Sequence, residues 1–343
     1  MSTLRIGTRA SALALAQSAQ IGREIAARLP GDGEAELVHV STHGDRDRIS
    51  PLAQIGGTGV FVTAVREALL AGEVDAIVHS AKDLPTQPAD GIAIACMPAR
   101  EDVRDALCAR DGLTLAELPT GARVGTGSPR RAAQLLRARP DLHVVGVRGN
   151  VETRLARALG PTADLDAVVL AAAGLRRLDR ADAITELLDV DVMLPAPAQG
   201  ALAVECRASD LALGGDLARA ADAEDDPATR AAVTAERALL RALEAGCSAP
   251  VAALGTVRDG QLELRALAIS PDAAHVFEDT LVAAIDLDAP REAFTVIAAD
   301  LGTRLAASLL EQGAAEVLAA PPTTADAVAA QEGAAVENPG EPA

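Results

Sequence analysis

The chain has 343 residues, of which 49% are hydrophobic and 23% are charged, and its formal net charge is −18. This length predicts two or three folded domains, and the composition excludes a disordered chain. The acidic balance argues against general nucleic-acid binding and against docking on anionic membranes, because both need a basic surface. With no Trp, no Tyr and three Phe, aromatic stacking platforms for bases are also excluded.

The first hundred residues alternate short apolar runs with helical patterns. Strands are predicted at 4–7, 36–41, 74–79 and 91–97. Helices are predicted at 60–70 and where Leu13, Ile21, Ile25 and Leu29 recur near helical spacing. This order predicts an α/β domain with a mainly parallel, doubly wound sheet covered by helices.

A charged stretch at 100–105 interrupts the alternation, which then restarts. The second series consists of strands at 123–125, 142–147 and 167–171 and helices at 129–138 and 151–158. We therefore expect a second α/β domain at 103–194, joined to the first near 98–104. The β-like run 200–206 is expected to return to the first domain as an extra strand, after a second crossover near 194–200.

The rest of the chain predicts a smaller α+β domain at 222–320. It opens with an acidic stretch at 220–226, expected to be solvated, and a long helix at about 228–245. Strands at 251–257, 261–269 and 275–284 and a helix at 291–310 follow. The first domain then comprises 1–98 plus about 199–218. Residues 321–343 are rich in Ala, Pro, Glu and Thr and have no basic residue, which predicts a disordered tail.

Cysteine usage and hydropathy indicate a cytoplasmic protein. The four cysteines, Cys96, Cys108, Cys206 and Cys247, contain no CxxC pair, so no zinc or thioredoxin-type site and no disulfide framework is expected. The longest uncharged run, 49–65, contains Pro51 and several glycines, so no segment is expected to span a bilayer and no cleaved signal is expected.

Three arginine-bearing loops stand where a predicted strand passes into a helix, at 7–11, 125–131 and 147–150. Open α/β sheets bind ligands at these carboxyl ends of strands. In the second loop Ser128 suits the N-cap and Pro129 the first helical turn, so free N–H groups there favour an anion. Arg130 and Arg131 add forked donors for carboxylate or phosphate. The alternative is that each arginine is a solvated surface charge.

Two further features carry chemically useful groups. Lys82 is the single lysine among 31 basic residues, and Asp83 follows it at the end of a predicted strand. In a desolvated cleft such an Asp can transfer protons, although an ordinary surface ion pair explains the same dipeptide. Cys247 follows a long helix and a glycine and is a possible nucleophile or attachment point, or simply a small packed residue. The Gly-punctuated loop 42–59 is either a lid or an irregular surface loop.

Eight segments in family order resemble porphobilinogen deaminase, also called hydroxymethylbilane synthase, and span about residues 4–320. They are 5–14 (RIGTRASALA), 55–61 (IGGTGVF), 79–85 (HSAKDLP), 125–131 (GTGSPRR), 147–154 (VRGNVETR), 172–176 (AAGLR), 194–201 (LPAPAQGA) and 246–250 (GCSAP). The resemblance implies two doubly wound domains like those of periplasmic binding proteins, with a central cleft, and a small α+β C-terminal domain.

The resemblance also implies an activity. Four porphobilinogen molecules are joined head to tail with loss of ammonia, on a covalent dipyrromethane cofactor held by Cys247 as a thioether, and hydroxymethylbilane is released by hydrolysis. Asp83 has the position of the catalytic acid/base. Positions that bind carboxylates of substrate and cofactor correspond to Arg9, Ser11, Lys82, Ser128, Arg130, Arg131, Arg148 and Arg154. Cleft-lining positions correspond to Ser80, Thr126 and Gln199, and lid positions to Gly56, Gly57, Gly59 and Phe61.

The lid departs from the family, which commonly has Lys at the positions of Gln54 and Thr58. The alternative function is a non-enzymatic anion-binding protein on the same two-lobed scaffold, although such a binder needs neither Asp83 nor Cys247. A phosphate-handling enzyme is disfavoured because the chain has no Walker-type or G-x-G-x-x-G motif. We expect a monomer with porphobilinogen as its small-molecule partner, and no metal, nucleic acid or membrane.

Overall fold

A computed structural model describes residues 3–31, 33–40, 59–245 and 249–318, with backbone only at 59–61. The strands within these residues are β1 (Thr3–Thr8), β2 (Glu34–His39), β3 (Ala76–Ser80), β4 (Ile92–Cys96), β5 (Asp105–Ala109), β6 (Arg123–Gly125), β7 (His143–Val145), β8 (Ala167–Ala171), β9 (Glu186–Leu187), β10 (Leu202–Arg207), β11 (Val251–Arg258), β12 (Gln261–Ile269) and β13 (Val276–Ala284). The α-helices are α1 (Ala12–Ala26), α2 (Gly59–Leu70), α3 (Pro129–Ala138), α4 (Val151–Leu159), α5 (Ala172–Arg177), α6 (Ala208–Ala212), α7 (Asp216–Asp222), α8 (Pro227–Ala242), α9 (Arg291–Gln312) and α10 (Ala315–Leu318).

The first lobe is built on a five-stranded sheet with the order β2-β1-β3-β10-β4. Strands β1, β2 and β3 are parallel, whereas β10 is antiparallel to both β3 and β4. The predicted return of 200–206 to this sheet is therefore confirmed. The prediction of a mainly parallel sheet is confirmed, because four of the five described strands, β1, β2, β3 and β4, run in the same direction. Strand β10 is the exception, since it enters the sheet from the cleft, where the carboxyl ends of the other strands lie.

The second lobe repeats this plan with the order β7-β6-β8-β5-β9. Strand β5 enters from the first crossover and pairs antiparallel with β8 and β9. The sequence interpretation treated 100–105 as an interruption and missed β5. All five residues of β5 are buried, so it has no alternation of polar and apolar side chains to reveal it.

The C-terminal unit is an antiparallel sheet, β11-β12-β13, covered by α8 and α9. By length and hydropathy α9 would also suit a membrane span. Its residues Phe294, Leu301, Leu305 and Leu309 are buried in the core of this unit, which accounts for its apolar composition. The domain boundaries proposed from the sequence stay a prediction.

The acidic stretch 220–226 differs from its expected solvated state. Ala220 and Ala221, at the end of α7, are buried in the core of the first lobe. Asp225 binds Arg230 at 2.6 Å and accepts from the Met97 amide at 2.7 Å. Asp226 caps α8 by accepting from the Thr229 amide at 2.7 Å. These carboxylates are structural because a helix begins immediately after them.

The two crossovers pass each other in close contact. Gly200 has a φ of +86°, and a Cβ there would lie 2.4 Å from the Glu101 carbonyl oxygen. Glu236 of α8, fully buried, joins this junction to the C-terminal unit. Its carboxylate accepts from both terminal nitrogens of Arg100, at 2.6 and 2.9 Å, and from the amides of Ala198 and Gly255.

We expect Glu236→Gln to lower the free energy of unfolding by about 3–5 kcal/mol, because it leaves Arg100 buried without its counter-charge. Urea unfolding followed by circular dichroism measures this change. Glu263→Gln, at an exposed position of β12, is the control and should change stability by about 0.5 kcal/mol or less. Equal stability of the two variants would contradict the conclusion that Glu236 joins the two crossovers to the C-terminal unit.

Candidate functional site

A cleft lies between the two lobes, where the carboxyl ends of β1, β3 and β8 meet helices α1, α4 and α5. It holds a cavity of about 530 Å³. Its charged lining residues are the cations Arg9, Lys82, Arg131, Arg154 and Arg177 and the carboxylates Asp83 and Glu152. Five cations against two carboxylates make this cavity positive in a chain whose net charge is −18.

Lys82 and Asp83 occupy a single 3₁₀ turn, Ala81–Asp83, directly after β3. Asp83 is exposed and has no hydrogen bond or ion pair within the described residues. Both residues also line a smaller cavity of about 160 Å³, which extends to Leu240 and Ala249 of the C-terminal unit. The turn therefore faces all three parts of the molecule.

Asp105, the first residue of β5, is fully buried and organises the floor of the cleft. Its carboxylate accepts from Arg130 at 2.7 Å, from Arg131 at 2.7 and 3.1 Å, and from the Gln199 amide at 2.8 Å. Burial by itself would raise the pKa of Asp105, but the charges of Arg130 and Arg131 outweigh burial and hold that pKa well below its usual range. Asp105 therefore stays ionised and fixes both guanidinium groups.

Arg154 and Arg177, which line the larger cavity, are less fully neutralised than the arginines held by Asp105. Burial, reinforced by the nearby charge of Arg131, lowers the pKa of Arg154, and Asp83 only partly opposes the shift. The Arg154 Nε donates to the Gly149 carbonyl at 2.9 Å. Arg177 donates to the Gly200 carbonyl at 2.7 Å, and burial lowers its pKa. Half-buried positive charge held mainly by neutral carbonyls favours an anionic ligand.

The structure brings together most of the residues predicted from the sequence. The larger cavity is lined by Arg9, Ser11, Ser80, Lys82, Asp83, Arg131 and Arg154. The smaller cavity adds Ser128, Arg130 and Gln199. As predicted, the Ser128 hydroxyl caps α3 by accepting from the Arg131 amide, and Pro129 begins the helix. Arg130 and Arg131 are held by Asp105, which restricts the orientations in which they can meet a ligand.

Other predicted residues lie elsewhere. Arg148 is exposed and lines neither cavity, and Thr126 is buried, with its hydroxyl accepting from the Ser128 amide at 3.2 Å. Gly59 begins α2. Gly56, Gly57, Cys247 and the Phe61 side chain lie outside the described residues, as does most of the loop 42–59. Their predicted roles are therefore not tested by the fold.

Sequence reasoning missed Asp105 and Arg177. Asp105 stands at the end of a charged run that looked like a linker, and only the burial of β5 distinguishes it from its neighbours. Arg177 follows Arg176 at the end of α5, and helical phase places only Arg177 in the cavity. In the described part of the chain, no group of three or more His, Cys, Asp and Glu is arranged to hold a metal ion.

Family models match nearly the whole folded chain. The model for "porphobilinogen deaminase, dipyromethane cofactor binding domain" covers residues 4–214, and that for "porphobilinogen deaminase, C-terminal domain" covers residues 230–311. The chain belongs to the porphobilinogen deaminase family. The region that forms both lobes is thus the family's dipyrromethane cofactor-binding region.

Curated relatives show the same relationship over their full length. A porphobilinogen deaminase of Acidothermus cellulolyticus is 51% identical, over 95% of this chain and 94% of its own. One of Mycobacterium bovis is 49% identical, over 92% of this chain and 98% of its own.

Solved structures give a much weaker likeness. The aliphatic sulphonate binding protein SsuA of Escherichia coli has a TM-score of 0.37 and 15% identity, over 71% of each chain. A TRAP solute binding protein of Roseobacter denitrificans with bound glucuronate has a TM-score of 0.34 and 9% identity, over 65% of this chain and 78% of its own. Both TM-scores are too low to support a conclusion.

Lys82 provides a direct test of the electrostatics of the cleft. Burial lowers the pKa of Lys82 to about 8; Asp83 opposes this shift and Arg131 reinforces it. Because the chain has one lysine, protein labelled with ¹⁵N-lysine gives a single side-chain signal. We expect its NMR titration midpoint near pH 8 in the folded protein and near ~10.4 in denaturant.

The lowered pKa of Lys82 also predicts how the stability of the protein depends on pH. Between these two pKa values the unfolded chain still holds the proton that the folded chain has released, so the contribution of Lys82 to stability rises with pH across that window. A folded-state midpoint equal to that in denaturant would contradict a desolvated Lys82.

Proposed function

We propose that this chain joins four porphobilinogen molecules head to tail, with loss of ammonia at each step, and then releases hydroxymethylbilane by hydrolysis. The observation that carries the proposal is an exposed carboxyl group, Asp83, inside a cleft whose other charged groups are mainly cations. The names of the curated relatives support the same activity.

Recognition of the substrate follows from its carboxylates. Each pyrrole of porphobilinogen carries an acetate and a propionate, so the growing chain gains two negative charges per step. Arg9, Arg131 and Arg154 present forked donors that match carboxylates, while Lys82 supplies a compact charge beside Asp83. Ser11 is exposed at the N-terminus of α1, where its hydroxyl accepts from the Ala14 amide at 3.3 Å and the helix dipole favours an anion. Arg148, which is exposed and lines neither cavity, is proposed to contact the chain as it lengthens.

The cleft also fits a dipyrromethane cofactor. Two linked pyrroles carry four carboxylates, and the larger cavity of about 530 Å³ is lined by five cations. Ala249, two residues after Cys247, lines the adjoining smaller cavity beside Asp83. We propose attachment through a thioether to Cys247, with Lys82, Arg131 and Arg154 holding the carboxylates. When bound, the cofactor supplies the pyrrole carbon to which the first substrate is joined.

Asp83 is proposed to act at three points of each condensation. It first donates a proton to the departing amino group as the carbon–nitrogen bond breaks and ammonia leaves. Its carboxylate then faces the positive charge that develops on the substrate pyrrole and stabilises it. After the carbon–carbon bond has formed, the same carboxylate accepts the ring proton that is displaced. The proton lost in the first step is thus regained in the last.

Gln199 is proposed to act as a positioning residue. Its amide nitrogen donates to Asp105 and to the Val103 carbonyl, both at 2.8 Å, and its oxygen accepts from Lys82 at 3.4 Å. It therefore links the fixed arginines to the catalytic turn. Ser80 and Ser128 contribute hydroxyl groups to the cavity walls. A cytoplasmic location and a monomeric state complete the proposal.

Asp83→Asn should keep the arginine set and lower kcat by about 10²–10⁴-fold, with a smaller change in KM, because the amide neither donates nor accepts the required protons. Consumption of porphobilinogen and release of ammonia measure it. Asp90→Asn, an exposed aspartate between Asp83 and β4, is the matched control and should retain full turnover. Near-normal turnover in Asp83→Asn would remove this residue from the chemistry.

The intact mass of the purified, denatured protein tests the attachment. We expect an excess equal to two linked pyrrole units, mapped to the peptide of Cys247, and no excess in Cys247→Ala. The buried cysteines Cys96, Cys108 and Cys206 are internal controls in the same digest. If the purified wild-type protein lacks this excess and incubation with porphobilinogen still adds no mass, the enzymatic proposal fails and anion binding without catalysis remains.

A further inference from the structure

A third cavity, of about 380 Å³, lies between the first lobe and the C-terminal unit. One wall is the chain from Leu84 to Ile94, which follows the catalytic turn, and the opposite wall is the face of α8 that carries Arg237 and Arg241. It shares no lining residue with either cleft cavity. We call it the rear cavity.

The charged lining of the rear cavity is mainly positive. It contains four arginines, Arg66, Arg230, Arg237 and Arg241, and one carboxylate, Glu205. Glu205 is already bound to Arg66 at 2.6 and 2.9 Å, and Arg230 binds Asp225 outside the lining. The other two cations of the wall are Arg237 and Arg241.

The surrounding residues define the kind of ligand that would match this charge. Leu84, Ile92, Ile94 and Met97 give the first wall an apolar surface. On the other wall, Arg237 and Arg241 are four residues apart on α8, a spacing at which two like charges repel each other along one face of a helix. Arg241 is exposed and has no hydrogen bond or ion pair within the described residues. An apolar body with carboxylates fits both walls.

Arg237 connects this cavity to the catalytic turn. Its guanidinium donates to the carbonyl oxygens of Ala81 at 3.2 Å, Leu84 at 2.8 Å and Pro85 at 2.6 Å. These carbonyls flank Lys82 and Asp83 on both sides. A carboxylate in the rear cavity would compete with the carbonyls for the same guanidinium, since a charged acceptor is the stronger partner.

We propose that the rear cavity binds a small organic anion, with carboxylates on an apolar body, and that its occupation loosens the turn that carries Asp83 through Arg237. The binding site stands on its own, whereas the effect on turnover rests on the function proposed above. The result is a regulatory site separate from the substrate cleft.

Phthalate is a suitable probe because it carries two carboxylates on an apolar ring, and phthalamide is its uncharged counterpart. Hydrogen exchange measured by mass spectrometry should show phthalate protecting peptides 86–94 and 234–241, with no protection by phthalamide. In Arg241→Gln, the phthalate concentration needed for half-maximal protection should rise about tenfold or more. This is the usual effect of losing one charge-assisted hydrogen bond. Arg258→Gln, an exposed arginine at the end of β11, should behave as wild type.

Protection confined to peptides of the cleft, or unchanged in Arg241→Gln, would overturn the site. The coupling is measured separately. Phthalate should speed exchange of the Asp83 and Leu84 amides in the wild type and not in Arg241→Gln, and unchanged exchange of these amides would overturn the coupling. Saturating phthalate should lower kcat about fivefold or more in the wild type only. If the protein has no deaminase activity at all, the exchange results still decide the site.

Discussion

The structure depends on carboxylates buried at the place where the chain crosses between its lobes. Glu236 joins Arg100 of the first crossover, the Ala198 amide of the second and the Gly255 amide of β11. A few residues away, Asp105 holds Arg130, Arg131 and Gln199. A buried ion is tolerated only where its hydrogen bonds are satisfied by groups in a defined geometry. These two carboxylates therefore determine how the three parts meet and where the cleft lies.

The need to satisfy buried charges also explains why the cleft arginines fall into two groups. Arg130 and Arg131 lie in the first turn of α3 and are held by Asp105, so they form a rigid positive floor. Arg154 and Arg177 bind backbone carbonyls, so their charge is less completely neutralised. Lys82 stands between the two groups, and its pKa is lowered to about 8 by burial. A strongly acidic protein thus keeps a positive cleft, in which the buried carboxylate of the floor, Asp105, is already paired with Arg130 and Arg131.

The 3₁₀ turn that carries Asp83 is held from two sides. On the cleft side Lys82 reaches Gln199, and on the opposite side Arg237 of α8 binds the carbonyls around the turn. The position of Asp83 therefore depends on the C-terminal unit as well as on the sheet that bears it. This arrangement gives α8 a role beyond covering the sheet of its own unit, and it makes the rear cavity relevant to the cleft.

Much of this molecule was determined by its sequence alone. The order of strands and helices, the arginine loops, the Ser128 cap and the Lys82–Asp83 pair are local, because they depend on periodicity, capping and turn chemistry within a few residues. Strands β5 and β10 show the limit. β10 was expected to return to the first sheet, but the antiparallel direction of both strands depends on which end of the sheet the chain enters.

Burial of charge was decided only by tertiary structure. Asp105 and Glu236 look like ordinary acidic residues in the sequence, and each is fully buried because arginines and amides from distant parts of the chain converge on it. Arg177 lies in the cleft, whereas Arg148, in a loop that looked equally suited, is exposed. No local pattern contains this information, since the partners lie tens to more than a hundred residues apart along the chain.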